Sequence, residues 1–372
     1  MRCAALSPSA SPGAEGAARP LSGARAVREA LALALARDPD VVVVGEGVPD
    51  PGGVFGTTLG LAEAFPGRVF DAPLAENALM GICVGAALAG QRPVLVHQRV
   101  DFLLLALDQL LNNAAKWRAM FGGTGRLPLV VRAVIGRGWG QGPQHGQSLQ
   151  ALLAHVPGLR VVMPVTPADA KGMLCAALEG EDPVVVLEHR WLHGLEGPVP
   201  EGWRPSPLEG AVVRRPGEAA TVAAFSHMVV EALRAAEALA ALGLEVEVLD
   251  MRAVAPLDVE AVVRSVARTR RLVVADTGHR RLGVAGELAA SVAERAWGLL
   301  EAPPRRVALP DWPAPTSPAL ARHYYPGARE IAAEVLGLCG LPPDGREAAE
   351  LLRRLEPHGF GDVPGERPLG PF

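Results

Sequence analysis

At 372 residues, with 49% of them hydrophobic and a formal net charge of -4, the chain is long for one core and points to two domains. The mild acidity excludes the basic footprint of a nucleic-acid binder, and no apolar run is long enough for a membrane span. Cys3, Cys83, Cys175 and Cys339 lie far apart without CxxC spacing, so reduced thiols are expected in a bacterial cytoplasmic protein, with no zinc site.

Residues 1–22 are small, polar and poor in apolar bulk, which predicts a disordered N-terminal arm. Helical periodicity over 24–37 leads into the all-valine run 41–44, a buried strand. The loop after it carries Glu46 between Gly45 and Gly47, at a strand's carboxyl end where ligands gather in open α/β sheets. Glu46 reads equally as a residue that orients another acid, meets a partner, or is simply solvated.

A short strand at 68–72 runs into a helix that opens on Glu76 and continues with Gly81, Gly85, Ala86, Ala87, Ala89 and Gly90. Such small residues let another backbone approach closely, so the helix is expected to be covered. An acid in a first helical turn is ordinarily a cap or dipole partner. Strands are predicted at 92–97, 128–134, 159–163 and 183–188, with helices at 103–120, 148–155 and 167–178. Continuous apolar strands between helices imply a parallel sheet covered on both faces.

A first α/β domain is thus expected over 23–196, a linker containing one short strand over 197–217, a second α/β domain over 218–338, and a tail over 339–372 with one charged helix at 345–355. The expected fold is two three-layer α/β/α domains with mainly parallel sheets.

Several motifs occur in order along the chain. They are RVFDAPLAE at 68–76, GEG…GGVF within 45–55, Asp101-Phe102, Leu107-Asp108-Gln109 with Asn112 to Lys116, GQGPQHGQS at 140–148, Pro157-Gly158-Leu159, and Asp250-Met251-Arg252 with Pro256-Leu257-Asp258. Together they resemble the beta subunit of the E1 component of thiamin-diphosphate-dependent 2-oxoacid dehydrogenases, a transketolase-like family. The resemblance covers roughly residues 24–336 and implies a transketolase-like pyrimidine-binding domain followed by a transketolase C-terminal-like domain.

The resemblance also implies a chemistry. Glu76 would bond N1′ of the aminopyrimidine ring of thiamin diphosphate, where a protonated carboxyl favours the tautomer that can take the C2 proton. Phe102 would stack on that ring, and His145 would move protons for the reacting carbons or an incoming lipoyl thiol. Where relatives carry a methionine-containing FMTF, this chain has His97-Gln98-Arg99-Val100, which puts Gln98 and Arg99 as polar groups close to the cofactor. Potassium, held mainly by backbone carbonyls, would fall at Leu129, Ala177, Gly180 and Asp182, with Gly180 and Asp182 replacing the usual Asp and Asn.

No GDG followed by Asn suited to holding a metal and diphosphate occurs in the chain. An E1 alpha subunit would therefore supply Mg²⁺ and the diphosphate half in an α₂β₂ heterotetramer, and a lipoyl acyltransferase (E2) would take the acyl group. The expected reaction is oxidative decarboxylation of a pyruvate-like 2-oxoacid. Half of a split transketolase and a non-catalytic docking subunit are the alternatives.

Overall fold

The computed structural model describes residues 18–137 and 140–356. Of these, 18–136 with 152–208 form one compact unit, and 137, 140–151 and 209–356 a second.

The first unit holds β1 (Ala18–Ser22), β2 (Val41–Val44), β3 (Val69–Phe70), β4 (Arg92–His97), β5 (Val130–Ile135), β6 (Arg160–Val162), β7 (Val184–His189) and β8 (Glu196–Pro200). Its parallel sheet runs in the order β6-β7-β5-β4-β2-β3. Every residue of β5 and β7 is buried, as the continuous apolar runs require of strands covered on both faces. After β2 the chain steps outward to β3 and then returns to the other side of β2 as β4. That reversal is a topological switch point, and the crevice it opens at the carboxyl ends of β2 and β4 is the default ligand position in such sheets.

The second unit holds β9 (Val212–Arg215), β10 (Ala220–Ala224), β11 (Val246–Asp250), β12 (Ala253–Ala255), β13 (Leu272–His279) and β14 (Arg305–Leu309). Its sheet is ordered β14-β13-β10-β11-β9, parallel except for the edge strand β9. Two α/β units with mostly parallel sheets are what the alternating sequence predicts. Among the described residues no helix is long and apolar enough to cross a membrane.

Several boundaries differ from expectation. The expected arm is not disordered throughout: Ala18–Ser22 forms β1, antiparallel to β8, because Leu21 is buried with Val199 and Ala26. The rest of the arm, residues 1–17, lies outside the described residues. The expected linker contributes two strands, β8 to the first unit and β9 to the second sheet. In the expected tail, the helix Arg346–Arg354 buries Ala348, Leu351 and Leu352, while 357–372 lie outside the described residues.

The helix expected over 103–120 is broken into a 3₁₀ turn (Leu104–Ala106), a π-helix (Asp108–Ala114) and a last α-turn (Trp117–Met120). There Ala115 N–H reaches back to Leu110 O at 2.9 Å, the wider ring that defines π geometry. The helix expected over 148–155 starts only at Gln150, a residue whose side chain is drawn into hydrogen bonds of its own.

Candidate active site

The crevice between β2 and β4 is closed by backbone ties. Gln98 Nε2 donates to Glu46 O at 2.9 Å, and Gly47 N–H donates to Asp71 Oδ1 at 3.0 Å. The loop after β2 is thus pinned to the ends of both neighbouring strands. Both glycines around Glu46 are required by close approach: a Cβ on Gly45 would lie 2.2 Å from Val96 O, and one on Gly47, at φ +66°, would lie 2.5 Å from Gln98 Nε2. Gln98 is therefore turned to the loop's backbone, and its role is to place Glu46.

Glu76 is the first residue of the helix Glu76–Leu88 and is 9% exposed. Ala75 before it is non-helical and offers no capping side chain, so the usual reading of a first-turn acid as part of a capping arrangement finds no support. The Glu76 carboxylate makes no hydrogen bond among the described residues.

Glu46 faces it across the crevice. Burial, with the neighbouring Glu76 and Asp71 carboxylates, raises Glu46 above the usual carboxylate range, since like charges in a partly dry crevice oppose a second ionisation. Its Oε1 is buried without a hydrogen-bond partner among the described residues. Two carboxylates so placed can hold and hand over a single proton. Next to Gln98, His97 is buried and its imidazole is pushed down to about 4, so it enters the site as a neutral ring. Phe102 stands half-buried in the short helix Val100–Leu103 that follows β4.

His145 belongs to the second unit. It is half-buried and ends the 3₁₀ turn Gly142–Gln144. Gln150 anchors its loop by donating to Asp276 Oδ1 at 2.6 Å and Thr277 Oγ1 at 3.2 Å. Gly142 lies against Thr316, and the Arg137 guanidinium sits 4.4 Å from the Tyr325 ring centroid. The sequence places this loop with the pyrimidine-side domain, whereas its packing is with residues far along the chain.

The potassium expectation does not fit these residues. Leu129 O accepts from Val184 N–H at 3.0 Å, and Ala177 O accepts from Gly180 N–H at 3.2 Å. Gly180 O accepts from Arg92 Nη1 at 2.9 Å, and the Asp182 carboxylate pairs with Arg118 at 2.6 Å. Two of the four positions already have a guanidinium, and no role is assigned to a further cation.

The structure thus gathers Glu46, Glu76 and Gln98 at one crevice and adds Asp71 and His97, which sequence reasoning did not single out. Asp71 lies inside the RVFDAPLAE motif, where its position beside Glu76 was a usable signal. His97 opens the stretch that departs from the relatives' FMTF pattern, where attention fell on Gln98 and Arg99.

Comparison with known proteins matches both units of the fold. The transketolase pyrimidine-binding domain family matches residues 19–194, and the transketolase C-terminal domain family matches 209–331. The acetoin:2,6-dichlorophenolindophenol oxidoreductase subunit beta of Cupriavidus necator is 42% identical over 326 residues, covering 85% of this chain and 96% of that protein. The 2-oxoisovalerate dehydrogenase subunit beta of Bacillus subtilis is 39% identical, covering 83% and 95%. The mitochondrial pyruvate dehydrogenase E1 component subunit beta-1 of Arabidopsis thaliana is 40% identical, covering 82% and 86%. Among solved structures, a split-gene transketolase described as an inactive beta4 tetramer superimposes with a TM-score of 0.69 at 25% identity, covering 88% of this chain and 99% of that one. By domain content and by these relatives, the chain belongs to the E1 beta subunits of the 2-oxoacid dehydrogenases, built on the transketolase pyrimidine-binding and C-terminal domains.

Proposed function

We propose that this chain supplies the aminopyrimidine half of a thiamin diphosphate site, active with an alpha subunit that brings Mg²⁺ and the diphosphate contacts, in the oxidative decarboxylation of a 2-oxoacid with acyl transfer to a lipoyl domain. The observation that carries this reading is the facing pair Glu46 and Glu76 at the switch-point crevice, with Glu46 Oε1 buried and unpaired. That donor set fits a ring nitrogen needing a shared proton. When bound, the cofactor would supply the carbon acid that attacks the 2-oxo carbon and stores the electrons released with CO₂.

The rest falls to the chain. Glu76, uncapped and largely shielded from water, would turn its carboxyl toward the ring nitrogen. Glu46, kept in place by the Gln98 bond, opposes full ionisation of the pair. Phe102 would present a ring face for stacking, and His145 would exchange a proton with the acyl-carrying carbons or the lipoyl thiol. On this reading the chain would work in the bacterial cytoplasm.

In the complex with its alpha subunit, Glu76→Gln is expected to slow exchange of the cofactor C2 proton, followed by NMR, by at least about 10²-fold, as for other acid–base groups. Assembly, read by gel filtration, should persist. Exchange at the wild-type rate would return Glu76 to a structural role.

A further inference from the structure

The second sheet has a switch point of its own. After β10 the chain steps to one side as β11 and returns on the other side as β13, so the carboxyl ends of β10 and β13 flank the crevice where such a sheet ordinarily takes a ligand. Asp276 and Thr277 lie on β13 just past Ala275, the last residue paired with β10. What fills the place beside them belongs to the chain itself. Gln150, five residues past His145 and 0% exposed, donates to both side chains. The opening is cut for it: a Cβ on Gly278 would lie 2.8 Å from Gln150 Nε2.

The hydrogen bonds of this contact leave two atoms over. Asp276 is fully buried, and its Oδ1 accepts from Gln150 Nε2 at 2.6 Å and from Gly278 N–H at 3.2 Å. The backbone N–H groups of Ala285 and Thr277 also bear on the carboxyl. Even so, Oδ2 is buried without a hydrogen-bond partner among the described residues, and so is Gln150 Oε1. Both are acceptors, on two groups already joined by one bond. A carboxyl and an amide joined through N–H···O present their remaining oxygens to each other when their planes align, and a proton on the carboxyl then satisfies both. Burial outweighs the N–H donors and raises Asp276 above its ordinary 3.8, the direction that keeps such a proton in place.

We propose that Asp276 is a positioning residue that stays protonated in the folded chain: its Oδ2–H donates to Gln150 Oε1 and closes a two-bond clasp that holds the His145 loop on the second sheet. The inference rests on the function proposed above, in which His145 exchanges a proton late in the reaction, and adds the groups that place it. The loop is then fastened on both sides of His145, by the contact of Arg137 with Tyr325 before it and by the clasp after it. A neutral clasp fixes direction with two bonds and adds no buried charge that would need a partner of its own.

Infrared difference spectra of the complex with the alpha subunit at neutral pH, wild type minus Asp276→Asn, read the proton directly. The wild type should show the band of a protonated, hydrogen-bonded carboxyl that the variant lacks. A difference showing an ionised carboxylate instead overturns the proposal.

Two half-reactions of the same complex read the positioning: decarboxylation with an artificial electron acceptor, and acyl transfer to a lipoyl domain. Gln150→Met removes both bonds and should slow acyl transfer at least about 10-fold, in kcat more than in KM for the lipoyl domain, with a smaller loss in decarboxylation. Asp276→Asn should keep acyl transfer near the wild-type rate, since its amide can accept from Gln150 Nε2 and donate to Oε1 in the acid's place. Added to His145→Ala, Gln150→Met should slow acyl transfer by no more than about 2-fold further, because a residue that acts through His145 loses its effect once the imidazole is gone.

The proposal falls if Asp276→Asn loses as much as Gln150→Met, or if the Gln150→Met loss is undiminished beside His145→Ala, as a merely structural contact would have it. Should Gln150→Met fail to fold, seen by thermal melting, the infrared band and the Asp276→Asn rate decide. His145→Ala with both half-reactions intact overturns the role proposed for His145 and the positioning role with it, while the infrared band still decides whether Asp276 carries the proton.

Discussion

Two helices of the first unit have the same thirteen-residue length and opposite designs. Pro167–Glu179 begins on Thr166, whose Oγ accepts from Asp169 N–H at 3.0 Å and donates to its carboxylate at 2.7 Å, with proline at the first helical position. Ten of its residues are buried, including Lys171, whose Nζ bonds Glu29 Oε1 at 2.6 Å and Pro200 O at 2.5 Å. Glu76–Leu88 has no capping side chain and leaves Ile82 66% exposed, beside Gly85 and Ala86 on the same open side. The first helix commits its polar groups to its own fold. The second withholds them, leaving a carboxylate for a ligand and a smooth apolar face for a partner.

The comparison breaks most sharply at Lys171. Lys171→Ala should cost about 3 kcal/mol in urea unfolding, because it strands a partly buried acid and a carbonyl. Burial works against ionisation of Glu29, yet Lys171 and Arg19 together hold its carboxyl below the ordinary 4.5. A lowered folded-state value means that this stabilisation is complete above pH 4.5 and fades as pH falls through the folded-state value. The wild type should therefore lose stability in that acid range more steeply than Lys171→Ala, and parallel pH profiles would show that the pair is not linked to folding.

On the open helix the effect should appear in association and not in folding. Ile82→Asp is expected to leave the melting temperature of the chain nearly unchanged and to weaken assembly with the alpha subunit by about 2 kcal/mol, roughly 30-fold in Kd, for a charge buried at an interface. Unchanged assembly by analytical ultracentrifugation would move the partner surface elsewhere. The smallest effects concern the helix starts. Thr166→Ala should cost about 1 kcal/mol as a lost cap, whereas Ala75→Ser, which offers the open helix a cap, should gain a few tenths to 1 kcal/mol. Chemical denaturation of both variants compares the two starts directly.

The order of elements was legible in the sequence for a plain reason: alternating apolar runs and helical periods are local, and parallel strands buried on both faces announce themselves by continuous valine-rich segments such as 41–44 and 184–186. The positions of the two facing acids were legible too, since Glu46 follows the all-valine strand and Glu76 opens a helix inside the RVFDAPLAE motif. Helix type was less so. Residues 103–120 are helical in composition, yet the choice among α, 3₁₀ and π turns depends on what packs beside them.

What only the tertiary structure decided are pairings between distant segments. β1 finds β8 because Leu21 and Val199 share one small apolar cluster. Gln98 turns to the Glu46 carbonyl and not outward to a ligand, and the His145 loop is anchored through Gln150 to Asp276. Arg99 and Arg190 converge on Phe55 only because β5 lies between their strands. Strand order and side-chain direction are set by the packing of the whole sheet, and no local pattern in the chain records them.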